Sequence, residues 1–281
     1  MSGPLVLCAD DFGFAPGINR AIHALARDGR LSAVSCMVTA PSWHAGRALL
    51  PEITPVCDVG LHLTLTDLAS AAPMPRLAPD GRLPTMGVLT KQAFLRRLDR
   101  QEIAAEIERQ VAALEAVLGR APDHIDSHKH IHLLPVVRVA LLDLFQTGRL
   151  DRARTYIRSC WEAPARVAAR GIAVASTLAT TILASPLAAA ARRAGIAAND
   201  SFRGMNDFRR ERPFGDLFRR FAAGPGARPL IMCHPGFPDA ELAALDPVVE
   251  RRQDEFDYLA GPELARDLAA AGRCLARFPW T

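Results

Sequence analysis

Short apolar runs alternate with amphipathic stretches along almost the whole chain, and several apolar runs end in acids or histidines. Residues 5–9 read as a buried first strand, 33–38 as a second, 56–65 as a third and 124–128 as a fourth. A weak strand follows at 155–158 and a late one at 228–232. Runs that stay apolar, without alternation, mark strands covered on both faces. Helical stretches lie between them: 17–27 behind Pro16, a short one at 43–50 stopped by Pro51, 135–145, two pieces within 163–193, and a last one at 263–275. The clearest is 101–118, where Ile103, Ile107, Val111, Leu114 and Leu118 share one helix face and Gly119 closes the helix. Residues 69–90, rich in Pro, Ala and Gly, predict a long loop of functional or mobile type. This alternation predicts an α/β fold, a parallel sheet with helices outside, as a single domain over residues 1–281.

Composition narrows the function classes. Apolar residues make up 49% of the 281, enough for a large core. The net charge is +4, but the basic residues are scattered arginines, with Lys91 and Lys129 the only lysines, and aromatics are 6%. A nucleic-acid partner is therefore not expected. Six cysteines form no Cys-x-x-Cys pair, and Cys8, Cys36 and Cys233 sit inside apolar runs, which suits a reducing compartment. With no basic leader before the first strand, the reading is cytoplasmic. Residues 171–191 carry no charge, but Ser, Thr and Pro interrupt them and much of the rest is Ala. They predict a buried Ala-rich helix, not a transmembrane segment.

Chemistry concentrates in segments at predicted strand ends. Cys8-Ala9-Asp10-Asp11-Phe12-Gly13 follows the first strand, His62 sits in the third, and Asp126-Ser127-His128-Lys129-His130-Ile131-His132 follows the fourth. Carboxylates and imidazoles at the ends of successive strands are how α/β enzymes build a divalent-metal site. Adjacent aspartates on an extended chain point to opposite faces, so a turn must bring Asp10 and Asp11 to one cavity. One would ligate a metal and the other take a proton from water; an Asp pair can also cap a helix. Among His124, His128, His130 and His132 one metal ligand is expected, with Asp126 orienting an imidazole. Such donors suit Zn, Mn, Co or Ni, and the carboxylate admits Mg. His234, in Met232-Cys233-His234-Pro235-Gly236 after the late strand, fits a general acid. Arg158 and Arg203 could meet an anionic or hydroxylated substrate, but they carry little weight in a chain so rich in Arg. No phosphate-binding Gly loop or Gly-x-Ser-x-Gly elbow occurs.

Taken in order, Ala9-Asp10-Asp11-Phe12-Gly13, Gly60-Leu61-His62-Leu63, the Asp126 to His132 segment and Met232-Cys233-His234-Pro235-Gly236 resemble the signature segments of the YdjC-like carbohydrate deacetylases. That family includes chitooligosaccharide deacetylases and a hopanoid-associated branch. The resemblance implies a distorted (β/α) barrel, TIM-like and related to polysaccharide deacetylases. It implies a hydrolase that uses one divalent metal ion, Mg or Zn, to remove an N-acetyl group from an N-acetylated sugar, an oligosaccharide or a lipid-linked amino sugar. By the same resemblance Asp11, His62 and His128 are the metal ligands, Asp10 the base and His234 the acid, in a homodimer. Where chitooligosaccharide members tend to have three consecutive histidines, this chain has His128-Lys129-His130. The alternatives are a phosphoesterase or other amidohydrolase on a similar barrel, with a second ion drawn to His130 or His132, and a non-catalytic sugar-binding relative.

Overall fold

In the computed structural model, which describes residues 2–224 and 226–278, the first apolar run lies inside the sheet, with strands on both sides. Strand β1 (Gly3–Phe12) is followed by β2 (Ala33–Cys36), β3 (Asp58–Leu63), β4 (His124–Ser127), β5 (Tyr156–Ile157), β6 (Ser201–Arg203), β7 (Pro229–Cys233) and β8 (Arg273–Leu275). The order across the sheet is β5-β4-β3-β2-β1-β7-β6, and every pairing is parallel. Parallel strands are covered by helices on their outer face, which is why residues 5–9 are buried throughout. The sheet curls until its edges meet: Ile157 at one edge bridges in parallel to Ala198, just ahead of β6 at the other. Phe202 N–H then donates to Trp161 O at 2.9 Å across the same seam. The result is a distorted parallel barrel, with β8 paired to the first residues of β1.

The helix at Arg100–Leu118 begins where its sequence says it should. The Asp99 carboxylate accepts from the N–H groups of Gln101 and Glu102, and Gly119, at φ 68°, ends the helix. Its buried face carries two polar groups with specific work. Gln110 donates to Thr64 O at 2.8 Å and accepts from Thr64 N–H at 3.0 Å, fixing the chain just past β3. Glu106 accepts from Ala71 N–H at 2.8 Å, which pins the Pro-rich loop. That loop ends sooner than the composition predicts, because Met86–Phe94 is a helix.

Three further expectations are corrected. Pro51 does not stop a helix: it lies in the first turn of Leu50–Ile53, where its missing N–H has no partner to lose. The last helix ends at Ala270, and Gly272, at φ 63°, turns the chain into β8. The uncharged helix is not buried. Val174–Ala194 is long and apolar enough to cross a membrane by length and composition, yet 28% of its most apolar stretch is buried. One stripe, Thr177, Thr181, Ala184, Leu187 and Ala191, faces inward, and Ile182 on the other side is 72% exposed. Ala, Ser and Thr on the outer face made the segment look uniform in sequence.

Gly60 in β3 is a close-approach glycine. A Cβ there would lie 2.3–2.4 Å from atoms of the buried His124 ring. Gly60→Ala is expected to destabilise the fold by about 2–3 kcal/mol through overpacking. Urea unfolding checks it, and an unchanged midpoint would show that the His124 ring can move aside.

Candidate metal centre

The chemistry gathers at the C-terminal ends of the strands, where parallel α/β folds place their sites. On β1 the register runs Cys8–Ala33, Ala9–Val34 and then Phe12–Cys36, so Asp10 and Asp11 together face the single residue Ser35. Asp11 has φ 68°, a left-handed conformation that costs a non-glycine residue roughly 1–2 kcal/mol. This bulge is the turn that the adjacent aspartates require. It sends both carboxylates into one cavity.

Asp11 Oδ1 lies 3.4 Å from His62 Nε2 and 3.2 Å from His128 Nδ1. One donor atom from each of the three residues falls within 4.8 Å of the others. The remaining Asp11 oxygen accepts from Arg252 at 2.8 Å, and the same Arg252 nitrogen reaches Asp246 at 2.7 Å. His62 Nδ1 faces Asp126 Oδ1 at 2.7 Å, which turns its Nε2 toward Asp11. Ser35 Oγ also donates to Asp126.

Asp10 stands beside this group. Its two oxygens accept from the two terminal nitrogens of Arg158 at 2.7 and 2.6 Å. Arg158 also reaches Asp126 Oδ2 at 2.5 Å, so one buried guanidinium bridges both carboxylates. His234 Nε2 is 3.9 Å from Asp10 Oδ2, and its backbone N–H donates to Glu255 at 2.6 Å. Aromatic rings flank two of the imidazoles: Phe14 at 5.8 Å from His128 and Phe208 edge-on at 5.2 Å from His234.

The electrostatics fit a cation. Burial opposes ionisation of Asp11, yet Arg252 and the bonds from His128 and His62 hold its carboxyl well below the usual range. Burial likewise opposes a charged His62, but Asp126 and Asp10, with bonds to Asp11 and Asp126, push it up to about 10. A site that grips a proton this firmly has excess negative charge, and one carboxylate with two imidazoles is a donor set suited to a divalent ion. Burial pushes His234 below its ordinary value despite Asp11 and Asp10. A lower value strengthens its conjugate acid but leaves less of it protonated near neutral pH, so the shift alone does not make it the acid.

Of the four histidines at the end of β4, one turns to Asp11. Lys129 and His130 take left-handed φ values of 55° and 56°, which breaks the extended path after His128. His130 packs edge-on against Phe202, with Nδ1 3.7 Å from Cys160 Sγ. His132 is held between Ser127 Oγ at 2.5 Å and Arg158 O at 2.9 Å, and burial lowers it to about 4. His124 lies deeper, 3.3 Å from Ser35 Oγ. Sequence reasoning gave Arg158 little weight and passed over Arg252 and Glu255. For Arg158 a signal existed: it directly follows β5, the position that His128 and His234 hold after their own strands.

Burial raises the Glu255 carboxyl to about 7, against the pull of His234 N–H, Arg251 and Arg252. The folded state thus binds this proton more tightly than the unfolded chain, whose glutamate titrates near 4.5. That stabilisation is complete below about 4.5 and is lost as pH rises through about 7. Wild type is expected to lose about 3 kcal/mol relative to Glu255→Gln across that window. Urea unfolding of both proteins at several pH values measures the difference, and parallel pH curves would refute it.

The family model described as YdjC-like protein matches residues 4–270. A chitooligosaccharide deacetylase of Enterobacter sp. (strain 638) is 35% identical over 133 residues, 47% of this chain and 52% of the relative. One from Yersinia pestis (strain Pestoides F) is 37% identical over 134 residues, with the same coverage of both chains. The chain spans about half the length of the curated relatives it matches. A crystal structure from Enterococcus faecalis, described as a candidate cellobiose-phosphate cleavage protein, superposes with a TM-score of 0.75. It covers 99% of this chain and 98% of its own at 19% identity, a likeness of fold. With the family model spanning nearly its whole length, the chain belongs to the YdjC-like protein family.

Proposed function

We propose that this protein is a divalent-metal-dependent hydrolase that removes the N-acetyl group of an N-acetylated carbohydrate and releases acetate. The observation that carries the reading is a carboxylate, Asp10, set beside but outside a three-donor cluster of Asp11, His62 and His128. Binding alone would need no such base. A divalent cation held by the cluster supplies a Lewis acid for the amide carbonyl and the attacking water. Asp10 takes the water's proton, using lone pairs that Arg158 leaves free. Asp126 fixes the His62 ring, and Arg252 fixes the second oxygen of Asp11. His234, across the cavity, delivers a proton to the leaving amine nitrogen. The curated relatives named chitooligosaccharide deacetylases support the reaction class. Mg or Zn as the ion, one catalytic domain, a homodimer and a cytoplasmic location complete the reading. A second ion through His130 or His132, as a two-ion phosphoesterase would use, gains no support, because both are engaged away from Asp11.

Acetate release from a panel of N-acetylated substrates tests the proposal. The panel holds N,N′-diacetylchitobiose, its phosphate and a glycolipid-like N-acetylglucosaminide, each with and without chelator. The expected result is one acetate per new amine, abolished by chelator and restored by added ion. Acetate release that survives full metal removal would overturn the proposal.

A further inference from the structure

On the outer side of the barrel, a cavity of about 480 Å³ is lined by Arg166, Arg170, Arg203 and Arg220. We propose that this pocket binds the phosphate group of a small phosphorylated molecule.

Strand alternation explains the placement. Phe202 meets His130 and Arg158 inside the barrel, so its neighbour Arg203 points to the outside. There Arg203 donates to Phe221 O at 2.9 Å and Ala223 O at 2.8 Å, at the end of the helix Phe214–Ala222. Arg166 and Arg170 come from the helix Pro164–Arg170, and Arg220 from Phe214–Ala222. Among the described residues, one carboxylate meets three of these four guanidiniums. Glu162, fully buried, accepts from Arg170 at 2.7 Å and lies 3.4 Å from Arg203 and 3.6 Å from Arg166. Arg220 donates to Arg170 O at 3.2 Å. Burial, with smaller contributions from the nearby Arg170 and Arg273, pushes Arg203 down to about 10 despite Glu162.

Arg170 and Arg203 spend donors on these contacts and supply fixed positive charge, while the more exposed Arg166 and Arg220 present guanidinium N–H groups in a fork matched to phosphate oxygens. Preorganised donors with unbalanced positive charge select an oxyanion. The cavity is larger than one phosphate and falls within the range of small-metabolite sites, which points to a phosphorylated compound over the bare ion.

Calorimetric titration of the metal-loaded protein with inorganic phosphate, pyrophosphate and glucose 6-phosphate at constant ionic strength tests this. Arg166→Gln and Arg220→Gln lie on the rim, and each should raise the Kd by about tenfold, as loss of a charge-assisted hydrogen bond does. Asp11→Asn should leave the Kd unchanged. Absence of binding, a Kd indifferent to both Arg substitutions, or a Kd that collapses in Asp11→Asn would each overturn the proposal; the last would place the anion at the metal centre. Melting of each variant without ligand confirms folding, and Arg166→Gln, whose side chain is 40% exposed, is the more conservative of the two.

Discussion

Asp10→Asn is expected to lower kcat for acetate release by about 100- to 10,000-fold, the usual yield of a positioned general base. The bound ion should remain, because Arg158 holds both oxygens of Asp10, which lies close to His62 but is not one of the three donors Asp11, His62 and His128. The fall belongs in kcat more than KM, since the group acts on the water and not on the sugar. Asn keeps one acceptor oxygen toward Arg158 but sets an amide donor against the other guanidinium nitrogen, so some loss of stability accompanies the loss of rate. Steady-state kinetics with metal analysis of the same sample separates the outcomes. Loss of the ion along with activity would make Asp10 a ligand, and undiminished kcat would remove it from the chemistry.

Arg158→Met should cost about 3–5 kcal/mol of folding stability, the penalty for breaking a buried ion pair from one side. Arg158 is fully buried and holds Asp10 through two bonds and Asp126 through a third contact. Without it two buried carboxylates face each other with His62 as the nearest cation. Burial opposes the charge on Arg158, but Asp10 and Asp126 hold it well above the ordinary value, so the bridge stays ionised. In urea unfolding, Asp10→Asn made in the Arg158→Met background should cost less than it does alone, because the pair is coupled. Simple additivity of the two losses would show that the pair does not act as a unit.

What the sequence disclosed and what it hid divide by the range of the interaction. The apolar face from Ile103 to Leu118 and Gly119 are local, and the helix they predict differs from Arg100–Leu118 by one residue. The continuous run at residues 5–9 similarly announced a strand covered on both faces. The strand-end positions of Asp11, His62, His128 and His234 could be read because parallel strands put their ends together. The bulge at Asp11 could not, since a positive φ at an aspartate leaves no mark in the residue pattern. Nor could Arg252, which reaches Asp11 from 241 residues away, or Arg158, one arginine among many. The helix Val174–Ala194 misled because small uncharged residues look alike whether they face the barrel or the outside.

The central claim is that Asp11, His62 and His128 hold one divalent ion. Metal analysis of protein purified without chelator, beside Asp11→Asn, His62→Ala and His128→Ala, tests it most directly. One ion per chain in the wild type, lost in each variant with the fold retained by circular dichroism, is the predicted result. Two ions per chain, or one ion kept undiminished by His128→Ala, would contradict it.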